Sequence, residues 1–272
     1  VRSDGAHLSK ALRRLAEVVL ADPQRVVYQT VTELADQAKV GEASVIRFCR
    51  DLGFKGFQDF KLALAADLAL SGAKDDDAQM TPKTPTEILE RVLQEAAQAL
   101  QETKALFNEV TFRQVVSQLL QCQRLLVYGA GASGVTAKDF AYKFLRLGYS
   151  VIHADDAHLA AMRAATLQLG DVVIGISRSG STIDTLKVLE IAKQAGATTI
   201  ALTHRSKSPA SSVADYTLTT ATSESPLTGG SIPAKMGQLL LLDALYATIL
   251  HHRPEAEAMV AKTAQAVTDR NY

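Results

Sequence analysis

The sequence predicts two domains of different class. The first is an all-α bundle built on a helix-turn-helix; the second is α/β, a five-stranded, mostly parallel sheet flanked by helices on both faces. Three observations predict it. Apolar residues recur at helical spacing through residues 1–70. The stretch 71–86, SGAKDDDAQMTPKTPT, then breaks the pattern with an acidic triplet, two prolines and few large apolar residues, a composition that reads as exposed linker. Over 87–272, short β-rich apolar runs alternate with amphipathic helical stretches, the pattern of βαβ units around a parallel sheet.

The elements follow in order. Ser9 is placed to cap a helix carrying Leu12, Leu15, Ala16 and Val19 on one face, and Pro23 to end it. A second helix takes Thr32 as its cap and carries Leu34, Ala35 and Ala38; the small Ala35 suits a close approach by the next helix. After a turn at Val40 and Gly41, a helix over 42–52 turns Val45, Ile46 and Cys49 inward and leaves Ser44, Arg47 and Arg50 outside. Gly53 breaks it, and Gly56, Phe57 and Phe60 open another. In the second domain, helices over 87–107 and 112–121 precede strands at 124–128, 150–153, 171–176, 198–203 and 216–219. Helices over 135–147, over 157–167 and up to 195 connect the first four strands, and a short turn leads to the fifth. Helices over 233–250 and 254–267 complete the chain. Right-handed crossovers gather the strand carboxyl ends at one edge, where open α/β sheets bind ligands.

Composition narrows the function. The 272 residues carry 29 basic and 29 acidic side chains, so any DNA binding must rest on a local basic patch. The cysteines, Cys49 and Cys122, are too far apart to suggest a disulfide framework or metal cluster, and Cys49 reads as a small core residue. No metal site and no cofactor is indicated. No apolar run approaches the ~20 residues of a membrane span, and the first residues lack a signal-peptide pattern. The expected location is cytoplasmic, with no membrane partner.

Three regions carry candidate chemistry. On the 42–52 helix, Ser44 and Arg47 are placed to meet base edges, while Arg50 and Lys55 suit phosphates. The same residues also fit a solvated helical hairpin, and Glu42 and Asp51 weaken the local positive field. The second region is Gly129-Ala-Gly131-Ala-Ser133-Gly134, after the strand RLLVY. Its glycines permit a sharp turn, and the following helix aims N–H groups at an anion. A plain tight turn is the alternative. The loop also satisfies G-x-G-x-x-G, with Asp155 and Asp156 after the next strand, so a dinucleotide-sensing repressor is a rival reading. The third region is Ser177-Arg178-Ser179-Gly180-Ser181-Thr182, after DVVIGI. A helix cap needs one hydroxyl; four in six residues make a cradle for phosphate oxygens, and the dinucleotide reading gives them no task. Outlying candidates are His158 for a sugar hydroxyl or a helix cap, and Lys235 for an anion or plain solvent. Glu224, with His158 and His204, is what a sugar-phosphate isomerase would need for proton transfer. Their spacing does not demand catalysis.

Two resemblances follow from these residues. The stretch VTELADQAKVGEASVIRFCRDLGFKGFQDFK closely resembles the N-terminal domain of RpiR-type regulators, the likeness running over about residues 8–70. Gly41 departs from the family's usual Ser cap and removes that hydroxyl from the corner facing a phosphate. The paired loops, Ser133 in a Gly-rich turn and then SRSGST, resemble the sugar isomerase (SIS) domain over about residues 87–250. RpiR-type regulators join these domains in this order. The resemblance implies a transcription regulator, not an enzyme, binding a double-stranded DNA operator under control of a phosphorylated sugar. It further implies that Ser133, Ser177, Ser179, Ser181 and Thr182 hold the phosphate end, with Gly131 and Gly180 among the ligand-binding positions. Paired half-sites imply a homodimer or higher homo-oligomer.

Overall fold

The computed structural model describes residues 9–72, 84–221 and 230–268. They form two compact units, the described residues up to 95 with 230–231 and those of 96–221 with 232–268.

The first unit holds α1 (Lys10–Ala21), α2 (Pro23–Tyr28), α3 (Val31–Ala38), α4 (Glu42–Asp51) and α5 (Phe57–Gly72). Ser9 caps α1, whose buried residues are Leu12, Leu15, Ala16 and Val19. Pro23 does more than end that helix. At the first position of α2 its missing N–H costs nothing, and Asp22 caps the new helix by accepting from the Arg25 N–H at 2.9 Å. The cap of α3 is Thr30 rather than Thr32. Its hydroxyl accepts from the Glu33 N–H at 3.0 Å, and the Glu33 carboxylate accepts from the Thr30 N–H at 2.8 Å. This reciprocal box satisfies two otherwise orphaned donors. Lys39 closes α3 in the left-handed region at φ 53°, a conformation that costs a non-glycine residue free energy. Gly41 stands at the N-cap of α4 with no side-chain bond.

Helix α4 buries Val45, Phe48 and Cys49, while Ile46 is only partly buried. The inward position expected of Ile46 therefore goes largely to Phe48, whose ring meets Phe60 edge-on at 6.1 Å. Burial pushes the Cys49 thiol up to about 12, which leaves it an inert core group. The expected linker 71–86 is partly helical: Ser71 and Gly72 close α5, and Pro85 and Thr86 open α6 (Pro85–Ala105), the residues between lying largely outside those described.

The second unit continues with α7 (Glu109–Gln121), β1 (Arg124–Gly129), α8 (Ala132–Arg146), β2 (Ser150–His153), α9 (Ala157–Ala165) and β3 (Val172–Ile176). It ends with α10 (Ile183–Gln194), β4 (Thr198–Thr203), α11 (Pro209–Val213), β5 (Tyr216–Thr219), α12 (Ile232–His252) and α13 (Glu255–Gln265). The strand order is β2-β1-β3-β4-β5, and all four pairings are parallel. The expected short turn before β5 contains α11, capped by Ser208 with Pro209 at its start.

Alternation along the strands builds two cores. Leu125, Val127, Ile174 and Ile200 pack with Phe140 and Phe144 of α8 and Leu245 of α12. Leu126, Val173 and Ala201 pack on the other face with Ala160 of α9 and Leu189 of α10. Gly175 keeps that second layer close, since an added Cβ would lie 2.9 Å from Leu189 Cγ. At the amino edge, fully buried Asp171 accepts from Arg124 at 2.5 Å and from the Gln168 N–H at 2.8 Å. That edge is committed to structure, which leaves the carboxyl edge for ligands.

Thr30→Ala removes the capping box of α3 and should cost about 1 kcal/mol of stability. Urea denaturation of the full chain checks this; an unchanged midpoint would deny the box an energetic role.

Candidate functional site

The sheet order determines where the carboxyl edge opens. From β1 the chain crosses through α8 to β2 on one side, and from β3 through α10 to β4 on the other. Adjacent strands whose connections leave in opposite directions open a crevice between their carboxyl ends. Both Gly- and Ser-rich loops lie there, the first after β1 and the second after β3.

In the first loop each glycine has a separate reason. Gly131, the N-cap of α8, adopts φ 58° and ψ −127°, a combination side chains resist. A Cβ at Gly129 would stand 2.7 Å from the Ser133 carbonyl oxygen and 3.1 Å from that of Ile176, so the β1 and β3 ends nearly touch. A Cβ at Gly134 would stand 2.8 Å from the Gly129 oxygen. Close packing and an unusual turn thus account for the glycines without a dinucleotide. The strand order agrees, because a dinucleotide fold of order 3-2-1-4-5-6 would not place β1 beside β3. Asp156 caps α9 by accepting from the Leu159 N–H at 2.8 Å, and Asp155 is exposed.

Ser133 is partly exposed and accepts from Gln238 Nε2 of α12 at 3.3 Å. Gln238 is buried, and its Oε1 accepts from the Thr136 hydroxyl at 2.9 Å. This amide orients the Ser133 hydroxyl and ties α12 to the first loop. Sequence reasoning missed it, although a lone amide in the apolar run GQLLLLDALYATIL was a signal.

In the second loop, the Ser177 and Thr182 hydroxyls bond each other at 2.9 Å. Ser179 Oγ accepts from the Ser181 N–H at 3.2 Å. Thr182 is the N-cap of α10, yet no side chain caps that helix. The Ser177 and Thr182 hydroxyls therefore hold each other and the Ser179 and Ser181 hydroxyls engage backbone groups of the loop, while α10 has no side-chain cap. Gly180, at φ 64°, is pressed against Ser208; a Cβ there would fall 2.2 Å from its hydroxyl. The Ala210 N–H donates to the Gly180 oxygen at 2.9 Å, and the His204 N–H to that of Arg178 at 3.0 Å. The loop is a rigid arch pinned by β4 and α11. Just behind it, Thr185 Oγ1 is buried without a hydrogen-bond partner among the described residues. Uncapped helix N–H groups and rearrangeable hydroxyls suit a phosphate held reversibly.

The remaining candidates separate. His158 is exposed on α9 and does not cap it, since Asp156 does. Lys235 is partly buried in the first turn of α12, three residues before Gln238 and so on the same face. His204 Nδ1 lies 2.9 Å from the Thr220 oxygen. Glu224 lies outside the described residues. In the first unit, Arg47, Arg50 and Lys55 are exposed and Ser44 is partly so. Arg47 stands 3.7 Å from Asp51, a solvent-exposed pair of small worth that frees readily. Among the described residues, no group of His, Cys, Asp and Glu side chains could hold a metal ion, and no helix is long and apolar enough to cross a membrane.

Comparison with known proteins places both units. Residues 1–71 match the model of the helix-turn-helix domain, rpiR family, and residues 118–248 that of the SIS domain. An uncharacterized HTH-type transcriptional regulator of Haemophilus influenzae is 37% identical over 255 residues, 92% of this chain and 88% of that protein. The bifunctional protein glk of Burkholderia thailandensis is 33% identical over 94% of this chain, which spans 40% of that protein. Among solved structures, the Vibrio vulnificus NanR protein complexed with ManNAc-6P superposes with a TM-score of 0.89 at 34% identity, covering 99% of this chain and 97% of that one. The chain belongs to the rpiR family of helix-turn-helix transcriptional regulators that carry a SIS domain.

Proposed function

We propose that this regulator binds a phosphorylated amino sugar at the β1/β3 crevice and alters its hold on an operator in response. The observation that carries the reading is the second loop: four hydroxyls bonded within the loop, Ser177 and Thr182 to each other and Ser179 and Ser181 to backbone groups, beside the uncapped start of α10. A phosphate replaces those bonds without breaking a cap the helix needs. Ser177, Ser179, Ser181 and Thr182 then supply hydroxyls, the turn at Gly180 shapes the loop, the uncapped start of α10 supplies N–H groups, and Ser133 adds a donor from the first loop. Gly131 lets that loop approach. We assign the sugar end to His158, Lys235 and Glu224. An amino sugar is favoured because ManNAc-6P is the compound complexed with the similar Vibrio vulnificus NanR protein.

The domain senses and does not turn over its ligand. Proton transfer on a sugar needs a base within hydrogen-bond reach, and His204 already engages the Thr220 carbonyl through Nδ1. The likeness to the bifunctional glk protein fits a regulator joined to a further segment, since this chain spans 40% of it. The regulator works as a homodimer on paired half-sites, Ser44 and Arg47 reading bases while Arg50 and Lys55 grip phosphates.

In thermal unfolding, a sugar-phosphate panel that includes ManNAc-6P should raise the Tm of the full chain. Ser179→Ala should weaken that ligand by tenfold or more, the loss of one charge-assisted hydrogen bond of about 1.5–3 kcal/mol. Equal stabilisation of mutant and wild type would sink the assignment, and steady isomerisation of the ligand would sink the non-enzyme reading.

On an operator selected from a randomised duplex pool, Arg50→Ala should lower affinity for all sequences alike and reduce the salt slope by about 1. Arg47→Ala should instead relax sequence preference, by about 1–3 kcal/mol at one base pair. Fluorescence anisotropy across salt concentrations checks both; unchanged slopes and preferences would place DNA on another face.

A further inference from the structure

Thr30 caps α3, so the hydroxyl of Thr32, two residues on, is spared for another task. It bonds Glu42 Oε1 at 2.5 Å, across the turn that joins α3 to α4. The direction of that bond is fixed, because an ionised carboxylate only accepts and a hydroxyl has one proton to give. Glu42 is the first residue of α4, and its neighbour at the N-cap, Gly41, has no side chain to compete for the carboxylate. An exposed glutamate ordinarily wanders among rotamers. This one is held by a second helix.

Its place on α4 is that of a base-reading residue. Val45, Phe48 and Cys49 face the core, while Glu42, Ala43, Arg47 and Arg50 are exposed. At about 100° per residue, Glu42 and Arg47 stand about 140° apart around the helix, with Ala43 between them. The small side chain of Ala43 keeps the middle of that face low. In a helix-turn-helix, the early outward residues of the second helix are those that meet base edges in the major groove.

An acidic side chain there has to be accounted for. In the free protein the helix dipole favours it, but against DNA it meets phosphates of like sign. That repulsion is offset where the carboxylate meets a donor on a base. Only two base groups donate in the major groove, the N4 amino group of cytosine and the N6 amino group of adenine. Adenine sets the acceptor N7 beside its amino group, which repels a carboxylate. Cytosine has a C–H there. With Oε1 engaged by Thr32 and Oε2 left to a further donor, cytosine is the base that fits.

We propose that Glu42, oriented by Thr32, determines specificity by accepting a hydrogen bond from the N4 amino group of an operator cytosine. The proposal rests on the regulator reading above and adds to Ser44 and Arg47 a base contact of opposite charge. Arg47 donates and Glu42 accepts, so the two margins of one helix face ask for different bases. A site without the cytosine leaves the carboxylate desolvated and without a donor, which penalises wrong sequences as well as rewarding the right one. Thr32 is a positioning residue: it acts through Glu42.

The test gives the full chain a randomised duplex pool, sequences what is bound and measures affinities by fluorescence anisotropy. Wild type should select a position where cytosine leads by about tenfold, the worth of one hydrogen bond to a charged group. Glu42→Ala should flatten that position and leave the rest of the site unchanged. Glu42→Gln should move its preference toward adenine, since an amide both donates and accepts. Thr32→Val should weaken the cytosine preference in the wild-type chain and add nothing in the Glu42→Ala background, whereas a merely structural threonine would act equally in both. If Glu42→Ala raises affinity for every duplex alike and leaves all preferences intact, the carboxylate is only a repelling charge and the proposal falls. A wild-type chain that selects no sequence at all removes the regulator reading together with this contact. Preferences that survive Glu42→Ala remove this contact alone.

Discussion

The adjacency of β1 and β3 at the centre of the sheet is the constraint on which the rest depends. Their connections leave in opposite directions, so no crossover covers the carboxyl ends between them. The approach is close: the end of β1 tolerates no Cβ at Gly129, with the Ile176 oxygen 3.1 Å from where one would stand. Everything chemically distinctive in the second unit is arranged about that crevice. Gln238 reaches across from α12 to orient Ser133, and Ser208 and Thr203 leave room only for a glycine at position 180. The opposite edge spends its one buried carboxylate, Asp171, on Arg124 and the Gln168 N–H.

The arrangement separates rigidity from exchange. Backbone bonds from His204 and Ala210 fix the arch of the second loop, while its hydroxyls bond each other or nearby backbone groups of the same loop. Hydrogen bonds between side chains at a partly wet site contribute little net free energy. Trading them for bonds to a phosphate therefore costs little, and the frame does not have to move. That is the behaviour a reversible sensor requires. In the first unit the division is similar: Phe48, Val45 and Cys49 lock α4 to the core, and the exposed arginines are left with only the weak Arg47–Asp51 pair to surrender.

Much of this was legible in the sequence because it is local. The strands 150–153, 198–203 and 216–219 fall where the apolar runs placed them, since each run is bounded by turn residues. Both loops stand at the edge that the βαβ pattern assigned. What was misread followed from weighing one signal over another. Pro23 reads as a stop and the stretch before the last strand as a short turn, yet Pro23 and Pro209 each start a helix, because proline fits the first turn as well as it breaks the interior. Thr30 lost to Thr32 as the cap, although only Thr30 has a glutamate three residues on to complete the box. His158 reads equally as a cap, but Asp156 is the residue that bonds the Leu159 N–H. Gln238 and Thr185 escaped notice for a different reason: their significance comes from partners, or their lack, set by packing of distant segments.

Amide hydrogen exchange of the full chain, with and without a saturating amino-sugar phosphate, tests the central claim most directly. The account predicts slowed exchange at the amides of residues 179–186 and 131–135, where the ligand takes N–H groups the helices leave uncapped, with the amino edge around Asp171 unchanged. Protection confined to segments outside both loops, with the start of α10 exchanging as before, would contradict it.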